Sequence, residues 1–145
     1  MVAKILYKKR LTADCLIGID ELGHTEADAG APRLHDPPAP IPDVRFGASE
    51  VVITTRCPDF GKVDLEVWAG DPGPPQSAWK VVFDGSLRSN GTGFEVGDVG
   101  AFFHLNTNPG SYRVRVEARH DSNGYVNGVR FAFPESPDLT GEARY

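Results

Sequence analysis

Apolar and polar positions alternate with a period of two along much of this chain, the pattern of strands with one buried face. The clearest stretch is 111–119, in which every second residue is apolar. The stretch 63–69 alternates as strictly. Further apolar runs rich in Val, Ile and Phe lie at 2–8, 13–20, 50–56, 79–84, 94–96, 101–105 and 129–133. This spacing, without a helical period, predicts an all-β fold, a two-sheet antiparallel β-sandwich of about eight or nine strands, jelly-roll or Greek-key-like.

The alternation also predicts which side chains are buried. Val116 is expected in the core, so Val116→Asp should cost several kcal/mol, whereas Arg115→Ser should cost about 1 kcal/mol or less. Trp79 shares its side of a strand with Val81 and Phe83 and is therefore expected to be a core residue.

Glycine and proline are concentrated between these runs, which is typical of turns and loops. Asn-Gly pairs tolerate the positive φ of hairpin turns and stand at 90–91, 123–124 and 127–128. Residues 21–49 break the pattern, because they contain five prolines and no alternation. A loop of this length is unusual in a compact domain and is often functional. The chain is thus predicted to form one domain, 1–145, with a Pro-rich extended loop at about 21–49 that acts as an arm or as a lid.

Composition narrows the class of protein. The 145 residues are 40% hydrophobic and 24% charged, which is typical of a globular protein. The net charge of −5 disfavours nucleic-acid binding, because acidic surfaces repel phosphate. The N-terminus lacks a signal-like apolar run and no window is apolar enough to span a membrane, which predicts cytoplasmic location or assembly into a particle. Cys15 and Cys57 are then expected to be free, buried thiols.

No catalytic constellation is evident. His104 lies in a predicted strand and His120 at a strand end, and neither stands in a nucleophile-elbow, metalloprotease or phosphate-loop motif. Asp121–Tyr125 faintly resembles the start of a calcium loop but lacks a third acid and a closing Glu, so a turn is the favoured interpretation and metal binding stays open. We expect a protein that is not an enzyme and uses no cofactor.

The polar side of two strands offers the best candidate for a binding surface. Three arginines alternate along 111–119, and two acids and a tryptophan alternate along 63–69. The arginines could grip phosphate or carboxylate, or they could form a cross-strand ladder with the acids. An exposed Trp is typical of a protein-binding hot spot or a sugar-stacking platform, unless a Pro-rich loop covers it. The predicted binding residues are Trp68, Arg113, Arg115, Arg119, Asp64 and Glu66.

The stretch 79–119 contains Trp-x-Val, a Gly-broken strand, and then Asn-Pro-Gly-Ser-Tyr-Arg-Val-Arg-Val at 108–116. This arrangement resembles small bacterial β-sandwich proteins of the competence protein J nuclease-inhibitor family, in which a Pro-Gly-x-Tyr turn leads into a late core strand. The resemblance covers under a third of the chain, and the Pro-rich insertion departs from it. It implies a protein partner and an inhibitor or immunity-type role, but it transfers no inhibitory residue.

Three functions therefore remain open. The first is a non-enzymatic protein-binding sandwich, an inhibitor or immunity-type protein. The second is a structural component of a particle of bacterial or phage origin, such as a virion decoration or tail protein, in which the chain would form homo-oligomers. The third is a carbohydrate-binding module that uses Trp68. All three exclude nucleic acid and membrane as the partner.

Overall fold

The computed structural model describes residues 3–13, 16–21, 44–98 and 102–144. A short 3₁₀ turn, Pro58–Phe60, is the one helical element in this part of the chain. The strands are β1 (Lys4–Leu11), β2 (Leu16–Glu21), β3 (Val44–Phe46), β4 (Glu50–Thr54), β5 (Val63–Ala69), β6 (Trp79–Ser89), β7 (Phe94–Gly97), β8 (Phe102–Asn106), β9 (Gly110–His120), β10 (Val126–Phe133) and β11 (Thr140–Arg144). The predicted all-β class is confirmed.

The strands form two sheets. Sheet A has five strands in the order β1-β5-β10-β9-β6, and sheet B has six in the order β11-β8-β7-β2-β4-β3. Among the described strands the pairing is antiparallel except between β5 and β10, which run parallel. The two-sheet sandwich is thus the predicted one, with a single parallel pair that periodicity could not have revealed.

The core lies between the sheets and follows the predicted alternation. Val114, Val116 and Ala118 of β9 are fully buried, as are the aliphatic residues of β5. Aromatic pairs link the two sheets near their opposite edges: the rings of Tyr7 and Phe103 lie 5.1 Å apart. On the other side the rings of Phe46 and Phe83 lie 5.0 Å apart. Their contacts close the two sides of the sandwich.

Four local predictions are corrected or limited by the structure. Strand β3 lies inside the predicted loop 21–49, whose residues 22–43 fall outside the described part of the chain. Strand β11 was not predicted. Asn127 and Gly128 lie within β10 and not in a turn. A bulge in β6 shifts the register between Val81 and Phe83, so that Trp79 and Val81 lie on the opposite side of the sheet from Phe83.

The prediction of free thiols is wrong for Cys57, which is disulfide-bonded. The chain contains one other cysteine, Cys15, which is outside the described residues. Within the described ranges, no helix is long and apolar enough to cross a membrane.

Candidate protein-binding face

The predicted binding residues lie on the outer face of sheet A, the side turned away from sheet B. Pairing across the sheet aligns Lys8, Glu66, Arg130 and Glu117 in one transverse row. Their charges alternate in sign from strand to strand. Because directly opposite side chains in a sheet are neighbours, each carboxylate in this row meets a cation.

Arg130 is at the centre of this face. Its Nε donates to Glu66 Oε1 and its Nη1 to Glu117 Oε1, both at 3.1 Å. The guanidinium also lies 4.3 Å from the ring centre of Trp79 and 5.3 Å from that of Trp68. A planar guanidinium suits this position because it can stack on aromatic rings while its edge donates hydrogen bonds.

Trp79 is buried as predicted, but on this charged face and not in the core between the sheets. The bulge in β6 turns it outward, and its ring lies against Arg119 at 5.1 Å as well as against Arg130. Gly128 of β10 makes room for both side chains, since a Cβ there would lie 3.0 Å from the Trp79 ring and 3.1 Å from the Arg119 guanidinium. The Asn-Gly pair therefore serves packing and not a turn.

Arg115 is also buried on this face. Its Nε donates to Glu117 Oε2 at 3.1 Å, and its Nη2 donates to the carbonyl of Gly73 at 2.8 Å and to Asp71 Oδ1 at 3.3 Å. The short Pro-rich connection between β5 and β6 thus lies over part of the outer face. The sequence-based assignment of Arg115 as an exposed residue is wrong, because it did not anticipate this cover.

The other two predicted arginines are paired as well. Arg113 forms a bidentate contact with Asp84 at 3.0 and 2.9 Å, and its hydrogen bonds lower the pKa of that carboxyl group. Arg119 donates to Asp64 Oδ2 at 2.7 Å, and Arg10 donates to Asp64 Oδ1 at 2.9 Å. Burial alone would raise the pKa of Asp64, but the two arginines outweigh it and hold that pKa below its ordinary value.

The arrangement is therefore a ladder of matched charges and not a row of free cations. Of the predicted residues, Glu66 and Trp68 meet around Arg130, whereas Arg113 pairs at the β6 side of the sheet. Sequence reasoning missed Arg130 and Glu117. Arg130 was visible as a charge inside the apolar run 129–133, and Glu117 as the one acid that alternates with the arginines of 111–119. A charge inside an apolar run is rarely buried unless it is paired.

Trp68 contributes to the accessible apolar surface of this face. Its Nε1 donates to Glu66 Oε1 at 2.8 Å, and its side chain is partly exposed. Ile5, opposite it on β1, is 45% exposed. A rigid aromatic ring whose polar atom is already satisfied can lose its remaining water contacts to a partner at little cost.

The geometry gives less support to a sugar-binding site or a metal site. Trp79 is covered by arginines, so the face offers a sugar one partly exposed tryptophan and not a pair. Asp121 uses Oδ1 to accept the backbone N–H groups of Asn123 and Tyr125, and Oδ2 to accept from Arg56. In the ranges that the structure describes, no group of three or more His, Cys, Asp or Glu side chains is placed to hold a metal.

No protein-family model matches the chain, and no curated protein matches it in sequence. A solved structure does match: the crystal structure of ComJ from Bacillus subtilis, described as an inhibitor of the DNA degrading activity of NucA. The superposition covers 92% of this chain and 98% of ComJ with a TM-score of 0.62, at 9% sequence identity. The chain shares the fold of ComJ. The resemblance inferred from 79–119 is thereby confirmed at the level of the fold and extends over nearly the whole chain.

Proposed function

We propose that this chain is a non-enzymatic, protein-binding β-sandwich of the inhibitor or immunity type. The observation that carries the proposal is the likeness to ComJ over 92% of the chain, since ComJ is described as an inhibitor of another protein's activity. At 9% identity this likeness speaks for the fold alone. The role and the partner are therefore what the experiments below test.

We further propose Trp68 as one contact with the partner. Its ring is braced by Arg130 and its N–H by Glu66, so that little conformational freedom is lost when a partner covers it. The charged side chains around Trp68 are already paired within the sheet. They should therefore contribute more to the specificity of binding than to its affinity.

The direct test is inhibition of an enzyme. DNA-degrading activities of the native host are fractionated and assayed on plasmid DNA with and without the purified chain, with NucA as a defined comparison enzyme. We expect one host activity to be inhibited stoichiometrically. Trp68→Ala should weaken that inhibition about tenfold or more, whereas Phe46→Ala, an exposed aromatic on sheet B, should not. Inhibition of no host nuclease at micromolar concentration would contradict the proposal.

Location is a separate proposal. The expectation from the sequence was the cytoplasm or assembly into a particle, but disulfides form and persist in oxidising compartments, so the bond at Cys57 favours action outside the cytoplasm. Blocking thiols in intact host cells before lysis tests this. Cys57 should resist the alkylating reagent, and its full modification would place the protein in a reducing compartment.

A further inference from the structure

Two connections place an aromatic pair at one end of the sandwich, with one ring exposed and the other partly buried. Phe60, in the turn between β4 and β5, is 51% exposed. Its ring packs against Tyr125, in the connection between β9 and β10, with ring centres 5.3 Å apart. The preceding residue, Asp59, is exposed and forms no hydrogen bond or ion pair with the described residues. We call Asp59, Phe60 and Tyr125 the tip.

Arg56 holds the two connections together. Its Nη1 donates to Asp121 Oδ2 at 3.2 Å, its Nε donates to the carbonyl of Lys62 at 2.9 Å, and its Nη2 donates to the same carbonyl. Its backbone N–H donates to the carbonyl of Val126 at 2.9 Å. Gly61 completes the arrangement, because its φ is +122° and a Cβ there would lie 2.8 Å from Arg56 Nη2. One side chain thus ties the turn to the neighbouring connection.

Two further constraints fix the base of the tip. Asp121 accepts the N–H of Asn123 at 2.9 Å and that of Tyr125 at 3.0 Å, which orders the connection that carries Tyr125. Cys57, directly before the turn, is disulfide-bonded. An exposed three-residue turn with this many anchors is pre-organised, and pre-organisation reduces the entropy lost on binding.

We propose that the tip is the inhibitory element and that it enters the nucleic-acid cleft of a DNA-degrading enzyme. Such clefts are lined with Lys and Arg for phosphate and offer flat surfaces on which bases stack. The tip carries a carboxylate next to an aromatic ring, and so presents a negative charge and a flat ring as a nucleotide does. The net charge of −5 would steer the chain toward a cationic cleft. This inference rests on the proposed function.

The charges favour the tip over the outer face of sheet A as the centre of the contact. On that face Arg113, Arg115 and Arg119 each have a carboxylate within the sheet or its connections. The Asp59 carboxylate has no such cation in the described structure, so a partner cation would gain its full attraction without breaking an existing pair.

Substitutions in the tip test the proposal on the host nuclease that wild-type protein inhibits. We expect Asp59→Asn and Phe60→Ala each to raise the inhibition constant about tenfold or more, and Asp59→Lys more strongly still. Asp138→Asn is the matched control: Asp138 is an exposed acid beyond the opposite end of β10, and its removal should change the constant less than about twofold. Circular dichroism should stay unchanged, and the urea midpoint of Asp59→Asn should match that of the wild type, since Asp59 is exposed. Phe60→Ala loses one ring contact and should lower the midpoint only slightly.

Photocrosslinking gives the second readout. A photoreactive phenylalanine replaces Phe60 in one variant and Trp68 in another, and each is irradiated with the inhibited nuclease. Crosslinks from position 60 to peptides of the active-site cleft, together with loss of inhibition in Asp59→Asn, support the proposal. Full inhibition by Asp59→Asn and Phe60→Ala, with crosslinks from position 68 only, would show that the tip is not the inhibitory element. The proposed function itself would remain supported. If wild-type protein inhibits no host nuclease, both fail.

Discussion

The guanidinium of Arg130 lies over the ring of Trp79, 4.3 Å from its centre, while its Nη1 donates to the fully buried carboxylate of Glu117. The outer face of sheet A therefore carries a second layer of buried side chains, built from matched charges and the indole ring of Trp79. A sheet face of this kind stabilises one arrangement of strands, because each charge is compensated only when the strands are in register.

Removal of Arg130 should strongly lower the stability of the fold. Arg130→Met removes the arginine that donates to Glu66 and leaves the buried Glu117 with Arg115 alone, so we expect a loss of about 3–5 kcal/mol in the free energy of unfolding. Urea denaturation followed by tryptophan fluorescence measures it. Arg10→Met is the control, since Arg10 is 70% exposed and should be replaceable with little change. Equal midpoints for the two variants would show that the Arg130 network does not stabilise the fold.

The two sides of β9 should both be sensitive to substitution. Val116→Asp places a carboxylate between the sheets and should cost several kcal/mol. Arg115→Ser, expected from the sequence to be mild, should now cost about 3 kcal/mol, because Glu117 loses a buried partner. Arg113→Ser, on the same face but exposed, serves as the control. Urea midpoints decide: an Arg115→Ser variant as stable as Arg113→Ser would mean that Arg115 is not buried in solution.

Reduction should weaken the fold measurably. Unfolded, unreduced protein should take up no iodoacetamide, and reduced protein should take up two equivalents by mass spectrometry. Reduction should lower the free energy of unfolding by about 2–4 kcal/mol, since the cross-link restricts the unfolded chain. In the Cys57→Ser variant the reductant should have no further effect. Uptake of iodoacetamide without reduction would show that Cys57 is a free thiol.

His120 should contribute a pH dependence. Burial lowers its pKa, the charge of Lys80 adds to the effect, and Asp121 opposes it only in part. The folded protein therefore binds fewer protons at His120 than the unfolded chain does, so this group favours folding above the ordinary histidine pKa of about 6.5 and disfavours it as the pH falls below that value. His120→Asn should reduce the drop in melting temperature between pH 7.5 and 5.5, measured by calorimetry. An identical drop in both proteins would exclude His120 as its source.

The alternation of apolar and polar residues predicted the positions of the strands well, but it predicted poorly what individual side chains contact. For β5 and β9 the pattern identified the core side of each strand, because burial on one face imposes a period of two whatever the partner strand is. It failed at Trp79, where the bulge in β6 reversed the facing of the side chain. It also misassigned Gly128, whose Asn-Gly context is typical of a turn but whose lack of a side chain is used for packing.

By itself the sequence determined the fold class, most strand positions and the charged composition of one sheet face, since these depend on local periodicity. Only the tertiary structure decided that β10 lies between β5 and β9, and so that Arg130 stands between Glu66 and Glu117. The tip also emerged only there, because Phe60 and Tyr125 are distant in sequence and meet through contacts of Arg56. Strand order and loop contacts depend on packing across the whole sandwich, and no local sequence pattern specifies that packing.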